Sequence, residues 1–186
     1  VILINECRKL KIEVDPPDVN ISGTNFRPVD NKTISFGLNA IKNVGTKALD
    51  QIVEARDKHG KFDSLFDFTA NVSLKSVNRK VLESMNMAGA LDGLEGNRAQ
   101  KYAVIETALK YGQTIQENKA RNQVDLFGAS SANGQDISMV PSLPQAEEWS
   151  ESQLLENEKE VLGMYLSGHP LLKYAEDLEE FSNFDF

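Results

Sequence analysis

Two lysines, Lys42 and Lys47, flank Asn43-Val44-Gly45-Thr46 at the centre of residues 34–61. Before the glycine runs a short apolar-periodic segment, and after it a second helical pattern begins, with Thr46 suited to its N-terminal end. Glycine admits the positive φ and the close approach that a tight turn needs, so the spacing predicts a helix, a hairpin turn at Gly45 and a second helix. The first backbone N–H groups of a helix have no partner within it and add to the helix dipole, so the start of the second helix can hold a phosphate oxygen. This is anion binding, with no bond made or broken. Lys42, Asn43, Val44, Gly45, Thr46 and Lys47 form a candidate contact for a nucleic-acid backbone in which no base is read. A glycine between two helices also serves as a bare connector, and so short a pattern does not separate the two uses.

Other residue types that carry chemistry are sparse. Asp15 and Asp18 flank Pro16-Pro17; two carboxylates in a proline turn, with no third ligand nearby, read as turn formers and not as a metal site. Phe62, Leu65, Phe66 and Phe68 crowd into seven residues. They could stack on bases, but four large apolar groups at helical spacing read first as core. The single Cys7 excludes an internal disulfide framework and a zinc cluster, and is expected to be a buried, inert thiol. His59 stands at a helix end and His169 between Gly168 and Pro170, places for a cap or turn. No carboxylate cluster or nucleophile suggests catalysis, and no metal or cofactor is expected in this chain.

The elements that must position the turn can be read on either side of it. Ile2, Leu3, Cys7 and Leu10 fit an amphipathic helix already under way at Val1, which suggests a segment of a longer protein. Residues 14–20 are held extended by the two prolines. Residues 26–29 and 33–38 alternate apolar and polar around Asp30-Asn31-Lys32, a small β-hairpin that should pack on helices. Helices are predicted over residues 46–59, with Leu49, Ile52, Val53 and the Arg56 stem inward and Gly60 as stop, and over 76–87, with Val77, Val81, Leu82 and Met85 inward. After a small-residue turn at residues 87–93, a long helix over about 97–118 carries Tyr102, Ile105, Ala108, Leu109 and Ile115. The pair of helices around residues 89–96 looks like a degenerate copy of the first unit. Gln123-Val124-Asp125-Leu126-Phe127 is a short apolar anchor, residues 128–144 have the composition of a mobile linker, and a last helix runs from about Glu151 with Leu154, Leu155, Val161, Leu162 and Tyr165.

Net charge is −8, against a nucleic-acid partner at first sight. Residues 145–186 hold eleven acids and two bases, however, and residues 41–80 hold eight bases and five acids, a local +3. No apolar run approaches the ~20 residues of a membrane helix and no signal peptide is visible, so a soluble, cytoplasmic protein is expected, without a membrane partner.

Pro16-Pro17-Asp18-Val19-Asn20, residues 34–48, Phe62-Asp63-Ser64-Leu65-Phe66-Asp67-Phe68, Ala88-Gly89-Ala90-Leu91-Asp92, Asn97-Arg98, residues 123–127, residues 158–163 and Tyr165-Leu166-Ser167-Gly168-His169-Pro170-Leu171 together resemble the segment after the fingers of bacterial replicative DNA polymerase III alpha subunits. The likeness covers nearly the whole chain in order and is weakest over residues 129–149. It implies a mainly α fold: the end of the fingers region with a small β-hairpin over 1–38, and a tandem helix-hairpin-helix domain gripping duplex DNA over 39–118. A clamp-binding motif and flexible linker over 119–149 and lead-in helices to a downstream oligonucleotide-binding barrel over 150–186 would follow. It further implies that Gln123, Leu126 and Phe127 dock on the sliding clamp and that other subunits of the replicative polymerase are partners. The family's catalytic aspartates lie upstream of Val1, so this segment is expected to be inactive although the parent is a Mg-dependent nucleotidyltransferase, a DNA-directed DNA polymerase. Rival readings are a helix-hairpin-helix module of a DNA repair enzyme such as a nuclease or ligase, and a structural spacer without DNA contacts.

Overall fold

Pro16 and Pro17 hold the chain extended, and just before them Glu13–Val14 forms strand β1. The alternating segments that follow make β2 (Arg27–Pro28) and β3 (Thr33–Ser35), joined by a turn in which Asp30 Oδ1 accepts the Lys32 amide at 2.7 Å. The expected hairpin is therefore present, but as part of a three-stranded sheet of order β1-β3-β2. β2 pairs antiparallel to β3, with Arg27 opposite Ser35, and β1 pairs parallel to it, with Val14 opposite Ile34. Pro28 lies on an edge strand, where its missing N–H costs no ladder bond. The computed structural model describes residues 6, 7, 9–124, 140–168 and 170, the last three residues of its longest helix by their backbone alone.

Helix α1 spans Thr46–His59 and ends at Gly60, whose φ of 86° suits glycine. Leu49, Ile52 and Ala55 face inward. Helix α2 (Leu65–Asn71) starts at Ser64, whose hydroxyl accepts the Asp67 amide at 3.1 Å, and buries Leu65, Phe66 and Phe68 with Phe62; the aromatic cluster is core and not a stacking platform. Helix α3 (Arg79–Met87) begins three residues later than its apolar spacing suggests, because Asn78 accepts the Val81 amide and so caps it there. The long helix is two: α4 (Arg98–Ala103) and α5 (Ile105–Val124), broken at Val104. Helix α6 (Glu151–Leu162) stops at Gly163, in the left-handed conformation, whereas apolar positions out to Tyr165 suggest an end at Ser167-Gly168. Tyr102, expected inward, is exposed on one side and meets the Trp149 ring at 5.4 Å. Cys7 is half-buried and Leu10 exposed, so this thiol is not the buried one expected. His169 lies outside the described residues.

The Pro-Pro segment stitches these elements together. Asp18 Oδ1 accepts the Asn20 amide, the turn-forming use of its carboxylate. Val19 is fully buried and gives its N–H to Ala90, while Asn20 and Phe62 exchange two hydrogen bonds of 2.8 and 2.9 Å. Arg56 reaches from α1 to the carbonyls of Val19 and Ser22. One core runs from Phe36 and Leu38 through α1, α2 and α3 to Val161 and Leu162 of α6. Among the described residues no helix is long and apolar enough to cross a membrane.

Helix α5 lies close on α2 through Gly112. A Cβ there would collide with the Thr69 carbonyl, the Thr69 hydroxyl donates to Ala108 at 2.8 Å, and Gln116 donates to the last carbonyls of α2 at Thr69 and Val72. At an exposed helical site Gly→Ala gains ~1 kcal/mol of helix propensity. Gly112→Ala should instead destabilise by about 1–3 kcal/mol, because the added methyl overpacks the α2–α5 contact. Urea denaturation of the two proteins measures the sign, and a stabilised variant would show that the helices are not held this close.

Candidate nucleic-acid interface

Residues 41–49 divide by side-chain direction. Ile41, Val44, Ala48 and Leu49 are buried, whereas Lys42, Asn43, Gly45, Thr46 and Lys47 face solvent. The apolar spacing therefore nails the turn to the core and leaves its polar groups outside. The element before the turn is one 3₁₀ turn, Leu38–Ala40, and not an α-helix. Gly45 does not supply a positive φ either. It sits at φ −80°, ψ 158° as the N-cap of α1, and the left-handed residue is Asn43, at φ 64°. Asn is among the few non-glycine types that adopt this conformation readily, and here its Nδ2 also donates to the Ser84 hydroxyl on α3 at 3.1 Å. Val44 contributes backbone only to the outer surface.

Helix α1 opens without a side-chain cap and without an acid in its first turn. The Gly45 carbonyl accepts the Ala48 and Leu49 amides at 3.0 and 3.2 Å. The amides of Gly45, Thr46 and Lys47 have no partner among the described residues. A Cβ on Gly45 would meet nothing within 4 Å, so the fold does not require glycine there; its absence of side chain leaves the N-terminus open from outside. Lys47 stands beside this opening. Lys42 turns the other way, donating its amide to the Val161 carbonyl and its ammonium to the Glu160 backbone carbonyl, both at 2.8 Å.

The second unit has the same order, α3, a turn, then α4, but a closed end. Gly89 has φ 81°, and a Cβ there would collide with the Arg98 guanidinium. Arg98 binds Asp92 through two nitrogens at 2.7–3.0 Å and Glu158 at 3.2 Å. Glu158 is 1% exposed, and its second oxygen accepts the amides of Leu166 and Ser167. At the start of α4, Asn97 and Gln100 form a reciprocal capping box. The Glu148 carboxylate then takes the Arg98 and Ala99 amides at 2.9 and 3.1 Å. The anion position that is open on α1 is thus filled on α4 by the chain's own carboxylate. Burial by itself would raise the Glu148 pKa, but the N–H groups of Arg98, Trp149 and Ala99, with the Arg98 charge, outweigh it and hold the carboxyl below its usual value. Nearby Lys101 is buried on the Leu94 and Gly96 carbonyls, and desolvation lowers its pKa.

The Asn97-x-x-Gln100 spacing is a signal from which the box could have been found. Glu148 and Glu158 carry no such signal, since only the fold brings them across about 50 and 60 residues. Residues 140–149 carry no regular element, in keeping with linker composition, yet they pack: Asn97 and Gln100 donate to the Ala146 and Pro144 carbonyls, and Leu143 and Trp149 lie against the core. Gln123 belongs by its backbone to the last turn of α5, and Leu126 and Phe127 lie outside the described residues. Among the described residues, no group of three or more His, Cys, Asp or Glu could hold a metal ion.

Residues 11–101 match a family profile described as helix-hairpin-helix motif, a range that takes in the sheet, both turns and the start of α4. Over 181 residues, 97% of this chain, the sequence is 38% identical to the DNA polymerase III subunit alpha of Vibrio cholerae. The proteins of the same name from Escherichia coli K12 and Borreliella burgdorferi are 36% and 38% identical over 96% and 97% of the chain. The chain is homologous to a segment of bacterial DNA polymerase III alpha subunits. It spans about 15% of the length of these relatives. In this chain Asn20, Asn43, Arg98 and Glu158 each fasten one element to another.

Glu148 makes the closed end sensitive to acid. Its folded pKa lies below the unfolded one, so the cap contributes fully above about pH 5 and is lost as pH falls through the lowered folded value. Trp149 is the single tryptophan and meets the Tyr102 ring edge-on, so its fluorescence reports the segment. An acid-side fluorescence transition is expected that Glu148→Gln shifts or removes; identical acid limbs in the two proteins would show that the carboxylate does not hold residues 146–150.

Proposed function

We propose that this chain is a non-catalytic segment of a replicative DNA polymerase that grips duplex DNA through its sugar–phosphate backbone, without reading bases. The observation that carries the reading is the open N-terminus of α1, with the outward amides of Gly45, Thr46 and Lys47 and the Lys47 ammonium. The homology to polymerase alpha subunits and the helix-hairpin-helix match support it. Lys42, Asn43 and Val44 complete the turn and hold it in place. Polymerisation, the Mg ions it uses and contacts with other polymerase subunits belong to the whole protein in this reading. A repair-enzyme module is less well supported, since the relatives from Vibrio cholerae, Escherichia coli and Borreliella burgdorferi at 36–38% identity are polymerase subunits. A bare spacer would leave the amides at residues 45–47 without a use.

Because Gly45 is extended and its Cβ direction is empty, Gly45→Val should fold, with a stability cost of about 1 kcal/mol for a poor N-cap. The parent is expected to bind a short duplex with a Kd on the order of 10⁻⁴ to 10⁻⁶ M that weakens with salt. Gly45→Val and Lys47→Glu should each lose roughly tenfold or more. Anisotropy titrations in which both folded variants bind as tightly as the parent would remove the turn from the interface and favour the spacer.

The same proposal assigns Gln123, Leu126 and Phe127 to sliding-clamp tethering. A Leu-Phe pair oriented by a glutamine amide concentrates affinity in two apolar anchors, each of which typically costs ~2 kcal/mol or more on truncation, a factor of roughly thirty. Leu126→Ala with Phe127→Ala should abolish clamp capture and leave thermal stability nearly unchanged. A core role for Phe127 predicts instead a loss of ~3–5 kcal/mol, and a destabilised double variant that still captures the clamp would place docking elsewhere.

A further inference from the structure

The two lysines that flank the turn are placed for different work. Lys47, in the first turn of α1, is exposed and has no ion-pair or hydrogen-bond partner among the described residues. Lys42 gives both its donors to the C-terminus of α6, the amide to Val161 and the ammonium to Glu160. Carbonyls at that end of a helix have no intrahelical partner, and the negative end of the dipole favours a cation there. Gly163, in the left-handed conformation, returns its own amide to Lys159 and leaves the next two carbonyls for Lys42. One residue on, Asn43 is held on α3 through Ser84. Three successive hydrogen bonds therefore fix residues 42 and 43, and the chain passes from them directly into the amides at 45–47.

We propose that Lys42 is a positioning residue and not a phosphate ligand: it fastens the turn to the C-terminus of α6 and so sets the aim of the 45–47 amides and of Lys47. The inference rests on the nucleic-acid reading above for what is aimed, and on the hydrogen bonds alone for the fastening. It makes α6, which follows the turn by more than a hundred residues, a part of the interface it never touches.

A phosphate ligand and a positioning residue differ in salt dependence. Each neutralised phosphate adds about 0.9 to the slope of log affinity against log salt, whereas misplacing a contact weakens binding without changing the count. The 186-residue chain is titrated with a short duplex across a salt series. Lys47→Gln should flatten the slope by about 0.9. Lys42→Gln should keep the parent slope, weaken binding roughly threefold to tenfold at every salt concentration, and be rescued by Lys42→Arg, which keeps the cap. In the same variant, hydrogen exchange of the amide at position 42 should quicken by about tenfold as the Val161 bond loosens. A slope lowered by about 0.9 in Lys42→Gln, unchanged affinity or unchanged exchange would each overturn the proposal. If the parent shows no salt-dependent duplex binding, the nucleic-acid reading fails by itself, and the fastening is then decided by the exchange measurement.

Discussion

A single buried carboxylate connects the parts of this structure. Glu158 sits midway along α6, nearly sealed from solvent, and is met by the Arg98 guanidinium and by the amides of Leu166 and Ser167. A charge so buried is tolerable only when every lone pair is met, and removing one partner from such a pair typically costs ~3–5 kcal/mol because the other is stranded. The contact therefore specifies one position of α6 along the helical domain. Arg98 is itself held by Asp92 and roofed by Gly89, so the turn after α3 is shaped around the same guanidinium. At the C-terminal end of the same helix, the Glu160 and Val161 carbonyls accept from Lys42. The second turn, α6 and the first turn thus form one mechanical series.

That series revises how the acidic end of the chain reads. Eleven acids against two bases in residues 145–186 place the chain's excess negative charge at this end. Two of those acids have internal work. Glu148 closes the N-terminus of α4, and Glu158 neutralises a buried arginine. Composition averages over these roles because it cannot see which carboxylates meet N–H groups.

What could be read from the sequence follows the range of the interactions. The extent of α1, the Phe62 to Phe68 core and the β2–β3 pairing rest on local periodicity and turn residues, and they are where the spacing puts them. The mainly α architecture follows from them. The parallel strand β1 depends on a partner about twenty residues further along the chain, whereas the early stop of α6 comes from a local left-handed cap at Gly163 that the apolar spacing runs past. For the candidate site, the residues were legible and their mechanics were not. Glycine suggested a positive φ, yet Asn43 takes the strained position because Ser84 is there to hold its side chain, and Gly45 is left extended. Two lysines flanking a turn looked equivalent. Only the arrival of α6 beside one of them makes them different.

The two turns are alike in order and opposite in electrostatic state, and this difference bears on why one would serve a ligand. At α4 the free N–H groups are met by Asn97, Gln100 and Glu148, so an incoming anion would have to displace a carboxylate that is already well matched. At α1 no acid or cap side chain stands in the way, and a glycine keeps the approach clear. With glycine as its N-cap, α1 forgoes roughly a few tenths of a kcal/mol that an Asn, Asp or Ser at the Gly45 position would typically supply. The longer of the two helices thus keeps an end without a side-chain cap while the shorter is capped twice over, and it is the open end that the proposed backbone contact would use.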